Sequence, residues 1–133
     1  MSDSRPGHKC EYVIDGAAFT TLAEAAAEFT AALGLVSPWH GNLDAFHDIL
    51  RGGFGTPSDV FVLIWRHSNL SSARLGYGET TKWIEERVRN CHPDNVPHMQ
   101  KLLSAARRGE GQTLFEMLVE IIRDHDDIEL RLE

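Results

Sequence analysis

The sequence predicts a small α/β fold in which parallel strands are joined by helical crossovers. Three observations lead there. Short β-type runs recur at 10–14, 60–65 and 127–133, segments with helix caps and apolar stripes separate them, and strands separated by helices imply parallel crossovers. The chain of 133 residues is long enough for one modest core, and its 42% hydrophobic and 25% charged content are ordinary globular values.

Residues 1–9 are polar with a Pro6-Gly7 step and are expected to form a disordered tail, leaving 10–133 as a single domain. The first strand, 10–14, closes on the turn signal Asp15-Gly16. Thr21-Leu22-Ala23-Glu24 is a capping box opening a helix with the apolar stripe Leu22, Ala25, Ala26, Phe29 and Leu33, and Gly34 is placed to end it. A second helix starts at an Asn42 cap and stops at Gly52-Gly53. The run 60–65 is continuously apolar, the pattern of a strand covered on both faces. Residues 67–112 form a helical insert, with one helix at 79–90, a break at Pro93 and Pro97, and another helix to about Arg108. Thr113-Leu114-Phe115-Glu116 caps a further helix that buries Leu114, Phe115, Leu118, Ile121 and Ile122. In the last strand Ile128, Leu130 and Leu132 alternate onto one face.

Charge narrows the function. The net charge of −7 opposes nucleic acid and anionic membrane surfaces as partners and favours a basic protein. The insert holds seven Lys/Arg against five Asp/Glu, a net of +2, so the rest of the chain carries −9. The longest apolar stretch, 60–65, is too short to span a bilayer. Two cysteines far apart in sequence, Cys10 and Cys91, fit free thiols in a cytoplasmic protein better than a disulfide framework.

The acids are patterned. At 100° per residue, Leu43, Ala45, Phe46, Ile49 and Leu50 cover one side of the second helix, while Asp44, His47, Asp48 and Arg51 share the other. Asp44 and Asp48 lie four residues apart and repel, which costs a free helix a few tenths of a kcal/mol. The last helix repeats the arrangement with Glu116, Glu120, Arg123 and Asp124. Taken alone, these are two solvated amphipathic faces, with Arg51 and Arg123 placed to offset the acids.

The run Gly41-Asn42-Leu43-Asp44-Ala45-Phe46-His47-Asp48-Ile49-Leu50 resembles the Gly-x-Asn-Leu-Asp-Ala-Leu-x-Asp-x-Leu signature of the barstar family of ribonuclease inhibitors. The hydrophobic strand ending Trp65-Arg66 and the final helix followed by Asp127-Ile128-Glu129-Leu130-Arg131-Leu132 are similar to the family as well. The resemblance spans 12–66 and 113–133 and leaves the insert outside. It implies a three-stranded parallel sheet packed with helices, and a protein that inhibits a ribonuclease, barnase-like or a ribonuclease toxin, inside the cell that makes it. By position, Asp48 becomes the central phosphate mimic and Asp44 its neighbour. Pro38, Trp39 and His40, leading into Asn42, become the aromatic loop contacts, His47 takes a position that is often aromatic, and Glu120 and Asp124 become supporting acids. The family's aromatic-Gly-x-Asn step reads Trp39-His40-Gly41-Asn42 here, so either His40 takes the glycine position or the loop is one residue shorter.

Catalysis finds no support in the spacing. No Cys-x-x-Cys or His-x-x-x-His step joins His40, His47, His67, Cys91, His92 and His98, so neither a metal nor a cofactor is expected. Asp48 and His47 are adjacent on a helix and point about 100° apart, which defeats them as a hydrolytic pair. The sequence therefore reads as a non-enzymatic inhibitor, or immunity protein, monomeric when free. The competing reading is an acidic interaction module whose insert binds an unrelated partner, and deletion of 67–112 is the experiment expected to separate the two.

Overall fold

In the computed structural model, which describes residues 10–52, 55–57 and 60–133, the β-type runs become β1 (Cys10–Asp15), β2 (Phe61–Arg66) and β3 (Ile128–Leu132). The tail expected over 1–9 and the Gly53 end of the second helix lie outside the described residues. β2 is central and pairs in parallel with both neighbours, aligning Tyr12, Leu63 and Leu130 in one row and Ile14, Trp65 and Leu132 in the next. Helical crossovers make this direction possible. α1 (Leu22–Leu33) and α2 (Leu43–Arg51) lead from β1 to β2. α3 (Ser68–Arg74), α4 (Tyr77–Asn90), a 3-10 turn (Pro93–Asn95), α5 (Val96–Arg107) and α6 (Leu114–Arg123) lead on to β3. The α/β class with three parallel strands is as expected.

Alternate strand residues point to opposite faces. On one face Ile14, Phe61, Leu63 and Trp65 are fully enclosed and belong to the core with the apolar stripes of α1, α2 and α6. The other face carries Val13, Val62 and Ile64, none of them part of that core, and Val13 is 44% exposed. Arg131 spans this face, 3.9 Å from Glu11 and 2.8 Å from Glu129. Residues 61–65 are thus buried or half-buried on both faces, as the continuous apolar run implies, although the core lies on one side only. β2 is apolar throughout because it is the central strand, where flanking strands shield even Val62 to 3% exposure.

The helix stripes follow the sequence closely. Leu22, Ala25, Ala26, Phe29 and Leu33 are the buried residues of α1, and Gly34 ends it in the left-handed conformation at φ 65°. Thr21 caps α1, but Glu24 accepts from the backbone and hydroxyl of Thr20 at 2.8 and 3.0 Å rather than from Thr21. That bonding, chiefly the Thr20 backbone N–H, holds the Glu24 carboxyl below its ordinary pKa. In α6 the capping box is complete: Thr113 N donates to Glu116 at 2.8 Å and Glu116 N donates to Thr113 at 3.2 Å. Val119 joins the α6 stripe, and Phe115 is half-buried, edge-on to Trp65 at 5.1 Å.

The insert holds three helices, not two. α3 was not foreseen, because Ser68-Asn69-Leu70-Ser71-Ser72 has little helix propensity and no clear stripe. It is held by tertiary bonds instead: the buried Ser71 hydroxyl accepts from Trp65 Nε1 at 2.9 Å and donates to Gly16 O at 3.1 Å. α4 is tied in as firmly. Thr80 Oγ1, fully buried, accepts from Leu114 N at 2.8 Å, and Glu79 accepts from Leu22 N, the first amide of α1, at 3.0 Å. α5 packs on α4, with Arg107 paired to Glu85 at 3.0 Å, and buries only Ala106. Deleting 67–112 would remove Ser71, Leu75, Thr80 and Ile84 from the interior, so it tests folding and not the choice between the two readings.

Candidate functional site

The loop before α2 and the outer side of α2 are built as one unit. Asn42 caps the helix, its side chain accepting from Ala45 N at 3.0 Å. The Asn42 carbonyl in turn accepts from Trp39 Nε1 at 2.7 Å. The Trp39 ring stacks on Phe46 with centroids 4.3 Å apart and planes at 16°, and meets Phe29 edge-on at 5.9 Å. Thr30 of α1 accepts from Trp39 N at 3.0 Å. The loop is thus fixed at both ends of one indole. Aromatic burial on this scale contributes several kcal/mol, since each ring removes roughly 150–250 Å² from water.

This placement corrects the expectation for Trp39. With 3% of its surface exposed, it anchors the loop and cannot offer its ring as a freely projecting contact. His40, next along, is exposed and takes the outward position. Gly41 adopts φ 100°, a backbone that favours glycine, whereas His40 does not have positive φ. Within this loop the residue that takes the left-handed backbone is therefore Gly41, and not His40.

On α2, Phe46, Ile49 and Leu50 face the core while Asp44 and Asp48 are exposed. Asp44 has no hydrogen bond or ion pair among the described residues. Asp48 meets Arg51 at 3.0 Å, with side chains 63% and 69% exposed, a surface pair worth at most about 1 kcal/mol. Arg51 can be displaced at little cost. Asp48, Pro38, Trp39, His40, Asn42 and Ala45 border a hollow of about 240 Å³, so five of the residues singled out from sequence meet in one place. Chemically this is a carboxylate beside an imidazole on a rigid aromatic base, suited to receiving a cation. It lacks any partner that would make either group a nucleophile among the described residues.

The remaining candidates separate from it. His47 is half-buried, its ring 5.6 Å from that of His125 and tilted by 40°. His125 escaped the sequence reading because it lies beyond α6 and no local spacing links it to α2. Glu120 accepts from Gln112 at 3.2 Å, and Asp124 forms the C-cap of α6. Both border a different hollow, of about 430 Å³, with Phe115, Val119, Arg123 and Leu132. No ion pair ties Arg123 to them among the described residues. On the far side of the loop, His40 and Asn42 also border a hollow of about 490 Å³ walled by α4, including Lys82, Trp83 and Arg87, none of which the sequence reading had marked as part of a site.

No helix among the described residues is long and apolar enough to cross a membrane. No individual curated protein matches the chain at a significant level. The family described as barstar (barnase inhibitor) matches residues 11–120, a span that runs through the insert as well as the loop and α2. With a three-stranded parallel sheet, a capped and acidic α2 and a match over more than half its length, the chain belongs to the barstar family, whose role at family level is inhibition and not catalysis.

Proposed function

We propose that this chain is an intracellular inhibitor, an immunity protein in the cytoplasm, that binds a cationic ribonuclease and closes its active site with the acids of α2. The carrying observation is the position of Asp48, exposed on α2 at the rim of the hollow it shares with His40 and Asn42. A ribonuclease must hold phosphate with Arg, Lys or His, and a carboxylate presented on a rigid helix meets the same groups through charge-assisted hydrogen bonds. Asp44, one turn earlier, adds a second negative charge. The excess of −9 outside the insert speeds encounter with a basic enzyme.

In this reading Asp48 and Asp44 lead the contact, with His40, Asn42 and His47 around them. Trp39 acts from beneath by fixing the loop, and Glu120 and Asp124 serve at the periphery. The free protein is monomeric, needs no cofactor and does not bind nucleic acid. Co-expression with a panel of cationic ribonuclease toxins tests this. Growth should be rescued by the wild type and lost with Asp48→Ala. Rescue that survives Asp48→Ala, or a panel in which no toxin is neutralised, refutes the reading.

A further inference from the structure

We propose that the hollow between α4 and the 40–42 loop is a second anchoring point of the same docking surface, in which Arg87, backed by Lys82, receives a carboxylate from a loop of the ribonuclease that α2 engages. This rests on the inhibitor reading and extends it to the opposite polarity. Three observations carry it.

The first is continuity. His40 and Asn42 border both the Asp48 hollow and the α4 hollow, so a partner seated on one lies against the mouth of the other. The second is an unmet donor. Arg87 Nε is buried and has no acceptor, and the guanidinium lies over the Trp83 ring at 5.0 Å without an ion pair among the described residues. A buried N–H left unpaired costs free energy, and a carboxylate that draws the half-buried guanidinium outward recovers it; native proteins rarely keep such a group without a use. The third is the state of the neighbouring acids. Glu79 is occupied by Leu22 N at 3.0 Å, and Glu86 stands one turn from Lys82, the i,i+4 spacing at which opposite charges offset each other. The lining carries two acids and two bases, and of these four only Arg87 has a buried polar atom without a hydrogen-bond partner among the described residues. At about 490 Å³ the hollow admits a side chain and its flanking backbone.

The resulting surface alternates in sign: carboxylates on α2 for the enzyme's cations, a guanidinium on α4 for one of its acids. Such alternation fixes register and rejects basic proteins that lack the matching acid. It also gives the insert a role in choosing the partner.

The test uses the full chain and a ribonuclease toxin neutralised in the co-expression screen, carrying an inactivating substitution for handling. Arg87→Gln should bind roughly tenfold more weakly, mainly through faster dissociation, with an unchanged melting temperature. Lys82→Glu, at an exposed position, should weaken binding several-fold and guards against Arg87→Gln disturbing the Trp83 packing. If both variants bind like wild type while Asp48→Ala abolishes binding, the second anchor is overturned and the α2 reading stands. If Asp48→Ala also binds like wild type, or no toxin in the panel is neutralised, both fall.

Discussion

α2 and α6 are written in the same code and put to different uses. Each has a capping side chain, a buried apolar stripe and a pair of acids four residues apart. In α6, Glu116 completes the capping box and Glu120 accepts from Gln112, so two of its acids already serve the fold. In α2, Asp44 has no partner among the described residues, and Asp48 has only the exposed Arg51. Asp44 gains a little from the positive end of its helix, while Asp48, in the middle, gains nothing comparable. An acidic face therefore says little until the bonds of each carboxylate are known. What marks α2 is that its acids are left unspent beside a loop held rigid.

That contrast can be broken in three ways, taken from the largest expected effect down. Trp39→Ala removes the ring that fixes the start of α2 and should cost about 3–5 kcal/mol of folding stability, read from denaturant midpoints. A loss below 1 kcal/mol would mean the loop is held by something else. Asp48→Ala should leave the melting temperature alone yet weaken the ribonuclease complex by about 2–5 kcal/mol, because the enzyme's cations lose their counterpart. Calorimetry showing the reverse partition would move Asp48 from function to fold. Thr113→Ala, the matching change in α6, should cost about 1 kcal/mol of stability and leave binding untouched. A binding defect there would erase the distinction between the helices.

The smallest effect concerns α1, whose Glu24 is bonded to Thr20. Its folded pKa is lowered, so its contribution is present above the ordinary carboxylate range and fades as pH falls through the lowered value. Thr20→Val keeps the backbone bond but deletes the hydroxyl bond, and should shrink this acid-side loss. An identical pH profile of stability in the two proteins would assign the loss to other carboxylates.

Much of this was legible in the sequence because it is local. The stripes of α1 and α2, the Asn42 and Thr113 caps and the three strands depend on neighbours within a few residues, and each stands where the pattern puts it. Apart from Glu24, which turns to Thr20 instead of closing the box on Thr21, the misses are long-range. α3 exists because Ser71 reaches Trp65 and Gly16, and no local propensity encodes that bond. Trp39 reads as a surface ring in a polar loop until Phe46 and Phe29 are brought beneath it. Of the site, the acids and the loop were legible as a linear motif. The α4 wall was not, since Arg87 and His40 come together only through the fold.

The bond from Leu22 N to Glu79 has a consequence for how the molecule opens. Together with Leu114 N on Thr80, it ties the starts of α1 and α6 to a helix that sequence alone would treat as an appendage. Helices joined in this way cannot fray independently, so their slowest amides should exchange with solvent in one event with those of β2. Any partner that grips α4 would then slow the opening of the entire protein, and the complex would be guarded by the cooperativity of the fold as much as by its contacts.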